Sequence, residues 1–180
     1  GNLTMTNNAA SALIHRIEND GTTLVLERVF DAPRALVFEA FSKAEHLRNW
    51  FSPKGWSTTV CNVDFRVGGV WHFCMKCTDE SKEYYGQESW SKVVYQEIDE
   101  PNRIVYTDSF SDAEGNINLT MPTTLIEMTF IEHDGKTKLV SRTSYATAEM
   151  LKSILDMGVL MGISQTWDKL ADLLERLQNE

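Results

Sequence analysis

A chain of 180 residues, 42% hydrophobic and 24% charged, is long enough for one domain with a substantial core. Its net charge of −9 argues against a nucleic-acid partner or an anionic membrane surface, because both ask for a basic face. No apolar run approaches the length of a membrane span and no signal segment opens the chain, so neither membrane insertion nor export is expected and a cytoplasmic protein is the default.

Residues 1–21 are weakly patterned and read as a mobile arm. Ile14 and Ile17 hint at a short strand or a turn of helix before the Asp20-Gly21 turn. Residues 22–178 read as a single domain. Thr22 to Phe30 is β-branched and apolar, with Leu24, Leu26 and Phe30 on one face of a strand. Asp31-Ala32-Pro33 then opens a short helix carrying Leu36, Val37, Ala40 and Phe41. A second short helix follows from Ala44, with Leu47, Trp50 and Phe51 facing inward, and Pro53 and Gly55 end it.

From Trp56 to Tyr145 the apolar period is two. Cys61, Val63 and Phe65 alternate with polar neighbours, Gly68-Gly69 turns the chain, and Trp71, Phe73 and Met75 alternate in the returning strand. Tyr84 to Ile98 reads as a long strand with Trp90, Val94 and Ile98 on one side. After the Glu100-Pro101-Asn102 turn, Ile104, Tyr106 and Phe110 share a face. Ile126, Met128 and Phe130 alternate in the next strand, and Asp134-Gly135 turns it into Thr137 to Tyr145. Strands joined in succession by turn residues imply an antiparallel sheet.

The chain ends in a proline-free stretch, Ala148 to Gln178, that reads as one long helix. Leu160, Ile163, Trp167, Leu170, Leu174 and Leu177 form its apolar face. Asp156 and Asp168 bracket eleven uncharged residues that include Met157, Gly158, Met161 and Gly162. Such a half-helix should be covered on more than one side, either by close approach to a sheet or as the roof of a cavity. The expected fold is α+β: a curved antiparallel sheet of about seven strands around one long C-terminal helix, with two short helices after the first strand.

Three cysteines cannot all pair with one another. Cys74 and Cys77 have CxxC spacing but sit in a strand, where residues three apart point to opposite faces, so free thiols in a reducing compartment are expected. The four histidines lie on different elements without ligand spacing, and no metal or other cofactor is expected.

This order of elements resembles the family of homologues of the activator of the heat-shock-protein-ninety ATPase, within the START-like helix-grip superfamily. The residues that carry the resemblance are Arg28-Val29-Phe30-Asp31-Ala32-Pro33, Trp50-Phe51 with Pro53, Asp64-Phe65-Arg66-Val67-Gly68-Gly69-Val70-Trp71, and Pro101-x-Arg103-Ile104-Val105-Tyr106. Gly135-x-Thr137-x-Leu139 and the segment from Gly162 to Leu170 extend it to the end of the chain. Ile163 stands where the family often has tryptophan, so a pocket under the helix would have its own shape here.

The resemblance implies a hydrophobic cavity between sheet and long helix. Strand alternation and helical spacing nominate Trp50, Phe51, Trp71, Phe73, Trp90, Tyr106, Met128, Phe130, Met157, Met161 and Gln165 as its lining, or else as plain core. Glu88 and Arg142 are the charged residues nominated to point inward, the alternative being an outer ladder of ion pairs. No nucleophile elbow, phosphate loop or telling carboxylate pair is present, and no catalytic residue is nominated. Three functions follow: a non-enzymatic carrier of a small hydrophobic ligand, a co-chaperone module that binds a chaperone, or a cyclase- or hydrolase-like enzyme. The second ranks lower, because the eukaryotic activity also depends on a separate amino-terminal domain for which 180 residues leave no room. A homodimer is also expected, through a sheet edge or the apolar half of the last helix.

Overall fold

The computed structural model describes residues 12–180. The first half of the expected arm, residues 1–11, lies outside the described residues. The second half is not an arm: Ile14–Glu18 forms strand β1, which pairs antiparallel with β2, Thr23–Phe30. Asn19 and Asp20 take positive φ in the turn between them. Helices α1, Arg34–Ser42, and α2, Ala44–Trp50, follow. Then come β3, Trp56–Val63; β4, Val70–Cys77; β5, Glu88–Asp99; β6, Arg103–Ser111; β7, Thr123–His133; and β8, Lys136–Ser144.

All eight strands join one antiparallel sheet in the order β1-β2-β8-β7-β6-β5-β4-β3. The eight strands accord with the expected sheet of about seven, and β1 is the short strand at which Ile14 and Ile17 hinted. Each hairpin in the series β3 to β8 joins neighbours, and the connection from β2 through α1 and α2 carries the chain to β3 at the far edge, so that the last strand, β8, pairs with β2. The register shifts between Thr58 and Val60 and between Tyr95 and Glu97, two bulges that bend their strands. At the β3–β4 hairpin Gly69 is forced: a Cβ there would lie 2.0 Å from the Asp64 carbonyl oxygen.

The final helix is not continuous. α3, Ala148–Asp156, is capped by the Thr147 hydroxyl, which accepts from the Met150 amide. α4 runs Val159–Gln178. Between them Gly158 adopts φ 91°, the left-handed conformation that closes one helix and starts the next. The stretch from Ala148 to Gln178, expected as one helix, is therefore two, and Gly158 is the joint.

The helices cover one face of the sheet. The core holds Leu24, Leu26 and Phe30 from β2, Trp71 and Phe73 from β4, Tyr95 from β5, and Trp167, Leu170 and Leu174 from α4. Arg28 is buried at 6% exposure, pairs with Asp168 of α4 at 2.8 Å, and lies 5.2 Å from the Phe30 ring. The opposite face bears ion pairs: Arg16 with Glu27, Lys138 with Glu27, Arg142 with Glu18, and Arg103 with Glu127. Their long side chains lie over the buried Val25, Val105 and Val140. No helix among the described residues is long and apolar enough to cross a membrane. Cys61, Cys74 and Cys77 are buried free thiols.

Candidate functional site

The space between the sheet and the helices divides in two. One part is filled with rings. Trp50 is fully buried and donates its indole N–H to the Ala40 carbonyl at 2.9 Å. Its ring meets Phe41 at 4.8 Å and Phe51 at 5.3 Å, edge to face. Phe51 continues to Trp71 at 4.8 Å and Phe73 at 5.4 Å, and Phe41 reaches Phe130 at 5.2 Å. Trp50, Trp71, Phe73 and Phe130 are therefore core, the second of the two roles open to them from sequence.

The other part is a cavity of about 370 Å³ under the first half of α4. Its floor is the inner face of the sheet: Leu26 from β2, Met75 from β4, Tyr106 and Asp108 from β6, Thr124, Ile126 and Met128 from β7, and Ser141 and Thr143 from β8. Its roof is α4, through Val159, Gly162, Ile163, Thr166 and Trp167. Phe51, Ser52 and Pro53 close one side and Tyr145 another. The nearest heavy atom to a Cβ placed on Gly162 is Pro53 Cβ, at 4.0 Å, so the glycine enlarges the cavity more than it permits close helix approach.

Phe51, Tyr106 and Met128 are the sequence-nominated residues that line this cavity. Gln165 lies outside the lining and works at its edge: its side-chain oxygen accepts from the Lys54 amide at 3.1 Å. One turn on, the Lys169 ammonium donates to Ser52 Oγ at 2.9 Å, Pro53 O at 3.1 Å and Trp56 O at 3.0 Å. These four bonds fasten the wall segment 51–56 to α4. Burial pushes the Lys169 pKa below the ordinary lysine value.

The remaining nominations are corrected by geometry. Met157 and Met161 are 82% and 69% exposed, because the break at Gly158 ends one helix and resets the helical phase before α4. Trp90 and Glu88 lie on the outer face, where Trp90 stacks on His72 at 5.1 Å and donates to Glu88 at 3.4 Å. Counting by twos from the inward Ile98 nominated them, but the bulge between Tyr95 and Glu97 shifts the count by one, so Ser91, Val93 and Tyr95 face inward instead. Arg142 also faces outward and binds Glu18 at 2.6 Å. In β8 both Leu139 and Val140 are buried, on opposite faces, so alternation alone does not say which is inner.

The residue that sequence reading missed is Asp108. It follows Tyr106 by two on the strand whose inner face carries Ile104 and Tyr106. That alternation already placed an acid in an apolar row, which was the available signal. Among the described residues its carboxyl has no hydrogen bond and no ion pair. Burial alone pushes its pKa up from the ordinary 3.8 to about 7. The Tyr106 and Tyr145 hydroxyls are raised too, first by burial and then by the charge of Asp108, so both remain protonated near neutrality.

Comparison with known proteins agrees with this architecture. The family model of "Activator of Hsp90 ATPase homolog 1-like protein" matches residues 31–175. A crystal structure of a Mycobacterium smegmatis protein superposes with a TM-score of 0.77 at 29% identity, covering 92% of this chain and 96% of that one. A solution structure of a Staphylococcus epidermidis protein gives 0.77 at 29% identity over 89% and 93% of the two chains. A Nitrosomonas europaea protein, 22% identical over 91% and 100% of the chains, shares the fold with a TM-score of 0.77. No curated protein matches in sequence.

Proposed function

The chain belongs to the family of activator of Hsp90 ATPase homolog 1-like proteins, and from that premise we propose that it binds a small, mainly apolar molecule between the sheet and α4 without transforming it. The observation that carries this reading is the cavity of about 370 Å³, whose walls are mostly aliphatic, aromatic and thioether groups with a few polar ones between them. Met75 and Met128 suit a wall that must fit an irregular guest. An enzyme of cyclase or hydrolase type needs an acid and a base held together. Asp108 forms no hydrogen bond with another titratable side chain among the described residues, so binding is the better-supported reading. The three buried thiols and the lack of any cysteine beyond them favour a reducing, cytoplasmic setting.

Binding is tested with a neutral apolar probe such as decanol, followed by native mass spectrometry and by tryptophan fluorescence, to which Trp167 in the cavity wall contributes. One molecule bound per chain, displaced by Gly162→Leu, is the expected result. A chain that takes up no apolar probe, neutral or charged, refutes the proposal. A second reading, docking to a chaperone, is supported by the family description and by Ile117, Leu119 and Met121, all exposed in the segment between β6 and β7. It predicts a complex that Leu119→Asp weakens; no complex in sedimentation ends it. The exposed Ile14 and Ile17 of β1 are where a homodimer would form, and a concentration-independent monomer mass would exclude one.

A further inference from the structure

Among the described residues the cavity has one charged group, and that group has no hydrogen-bond or ion-pair partner. Its lining contains no lysine, arginine or histidine. The titratable groups that feel the charge of Asp108 are Tyr106, on its own strand, and Tyr145, after β8. Across the sheet its neighbours are Val93 on β5 and Thr124 on β7, and from α4 the cavity receives Val159, Gly162, Ile163, Thr166 and Trp167, none of them charged. A half-buried carboxylate in an apolar cavity is costly without a counter-charge, and the described residues supply none.

Resting on the ligand-binding reading above, we propose that the cavity takes an apolar molecule bearing a protonated amine, whose ammonium pairs with Asp108 while its hydrocarbon part lies under α4. Three observations converge on this chemistry. The unpartnered carboxyl lies in the cavity lining, where a cation would complete it. Tyr106, Tyr145, Phe51 and Trp167 line the same space, and aromatic faces attract ammonium groups. The chain carries a net charge of −9, which draws cationic amphiphiles and repels fatty acids. A fatty-acid carboxylate would meet Asp108 with like charge and find no basic residue in the lining to bind.

The test uses decylamine, decanol and decanoate, which differ only in the head group, titrated calorimetrically into the intact chain. At pH 8 decylamine should bind at least tenfold more tightly than decanol, and decanoate most weakly. Asp108→Asn should abolish the amine preference. In the unsubstituted chain amine affinity should rise about tenfold per pH unit below pH 7 as Asp108 loses its proton, and level off above it; this readout stands even if the variant fails to fold. Decanol binding without an amine preference, or an amine preference that survives in Asp108→Asn, overturns the inference and leaves the binding function standing. If none of the three binds, the binding function itself falls.

Discussion

Asp108→Asn should stabilise the empty protein, and by an amount that depends on pH. The folded chain holds this carboxyl at a pKa of about 7, against an ordinary 3.8. Each pH unit of displacement corresponds to ~1.4 kcal/mol, so ionised Asp108 destabilises the fold by about 4 kcal/mol at full effect. Water entering the cavity screens part of that charge, which leaves about 2–4 kcal/mol. The sign is set by proton uptake. Between pH 4 and pH 7 the folded state keeps the proton that the unfolded state has released, so stability falls as pH rises through that window and levels off above it. Asparagine is nearly isosteric and never ionises, so the variant does not share this loss. Urea denaturation of both proteins at pH 4.5 and pH 8 provides the measurement. Titrations of all other groups cancel in the difference between the two proteins, provided that they do not couple to Asp108. The variant should gain roughly 1.5–3 kcal/mol more at pH 8 than at pH 4.5. An equal gain at both pH values, or a loss at pH 8, would show that Asp108 is solvated or already paired.

Other substitutions probe the joint and the walls. Gly158→Ala forces a side chain into the left-handed region at φ 91° and should cost about 1–2 kcal/mol in urea denaturation. Gly162→Ala, in a regular helix with 4.0 Å to its nearest neighbour, should instead raise stability by about 0.5–1 kcal/mol. Lys169→Met removes the donor from three oxygens of the cavity wall and should cost about 1–3 kcal/mol, with faster amide exchange in residues 51–56. Met157→Gln should change the denaturation midpoint within measurement error, since the side chain is 82% exposed.

The pattern of success and failure in reading the sequence follows from what each signal measures. Period-two alternation located β2 through β8, and the glycine pair at Gly68-Gly69 marked the hairpin where backbone contact excludes a Cβ. It could not see the bulge beside Tyr95, because a bulge is one unpaired residue and leaves composition unchanged; Trp90 and Glu88 were misassigned for that reason alone. Helical spacing located α4 correctly from Leu160 onward. It failed across Gly158, because a glycine inside an apolar run gives the same sequence pattern whether it continues a helix or breaks it by taking positive φ. Whether an inward aromatic fills space or lines it is a matter of volume, settled only by where α1 and α2 sit. Phe51 does both, facing Trp50 on one side and the cavity on the other.

The cavity and the acid within it are independent costs to the fold, and their coincidence is the strongest argument that the space is a receiving site. A closed, dry void of about 370 Å³ would cost on the order of 9 kcal/mol at ~24 cal/mol per Å³, as much as the whole stability of many domains. Space of this size must therefore be occupied by water or by a guest. Better packing was within reach: a larger side chain at Gly162 would take up part of the space under α4, and an uncharged residue at 108 would remove the unpaired carboxyl. Lys169 and Gln165 act in the opposite direction, using bonds to the 51–56 segment to hold the wall in place around the opening. A filled variant such as Gly162→Leu combined with Asp108→Asn should then be more stable than the natural chain at pH 8 and unable to bind, the trade expected when destabilising features serve function. If that double variant were less stable than the natural chain, the space under α4 would have to be read as a consequence of helix placement, with no role in binding.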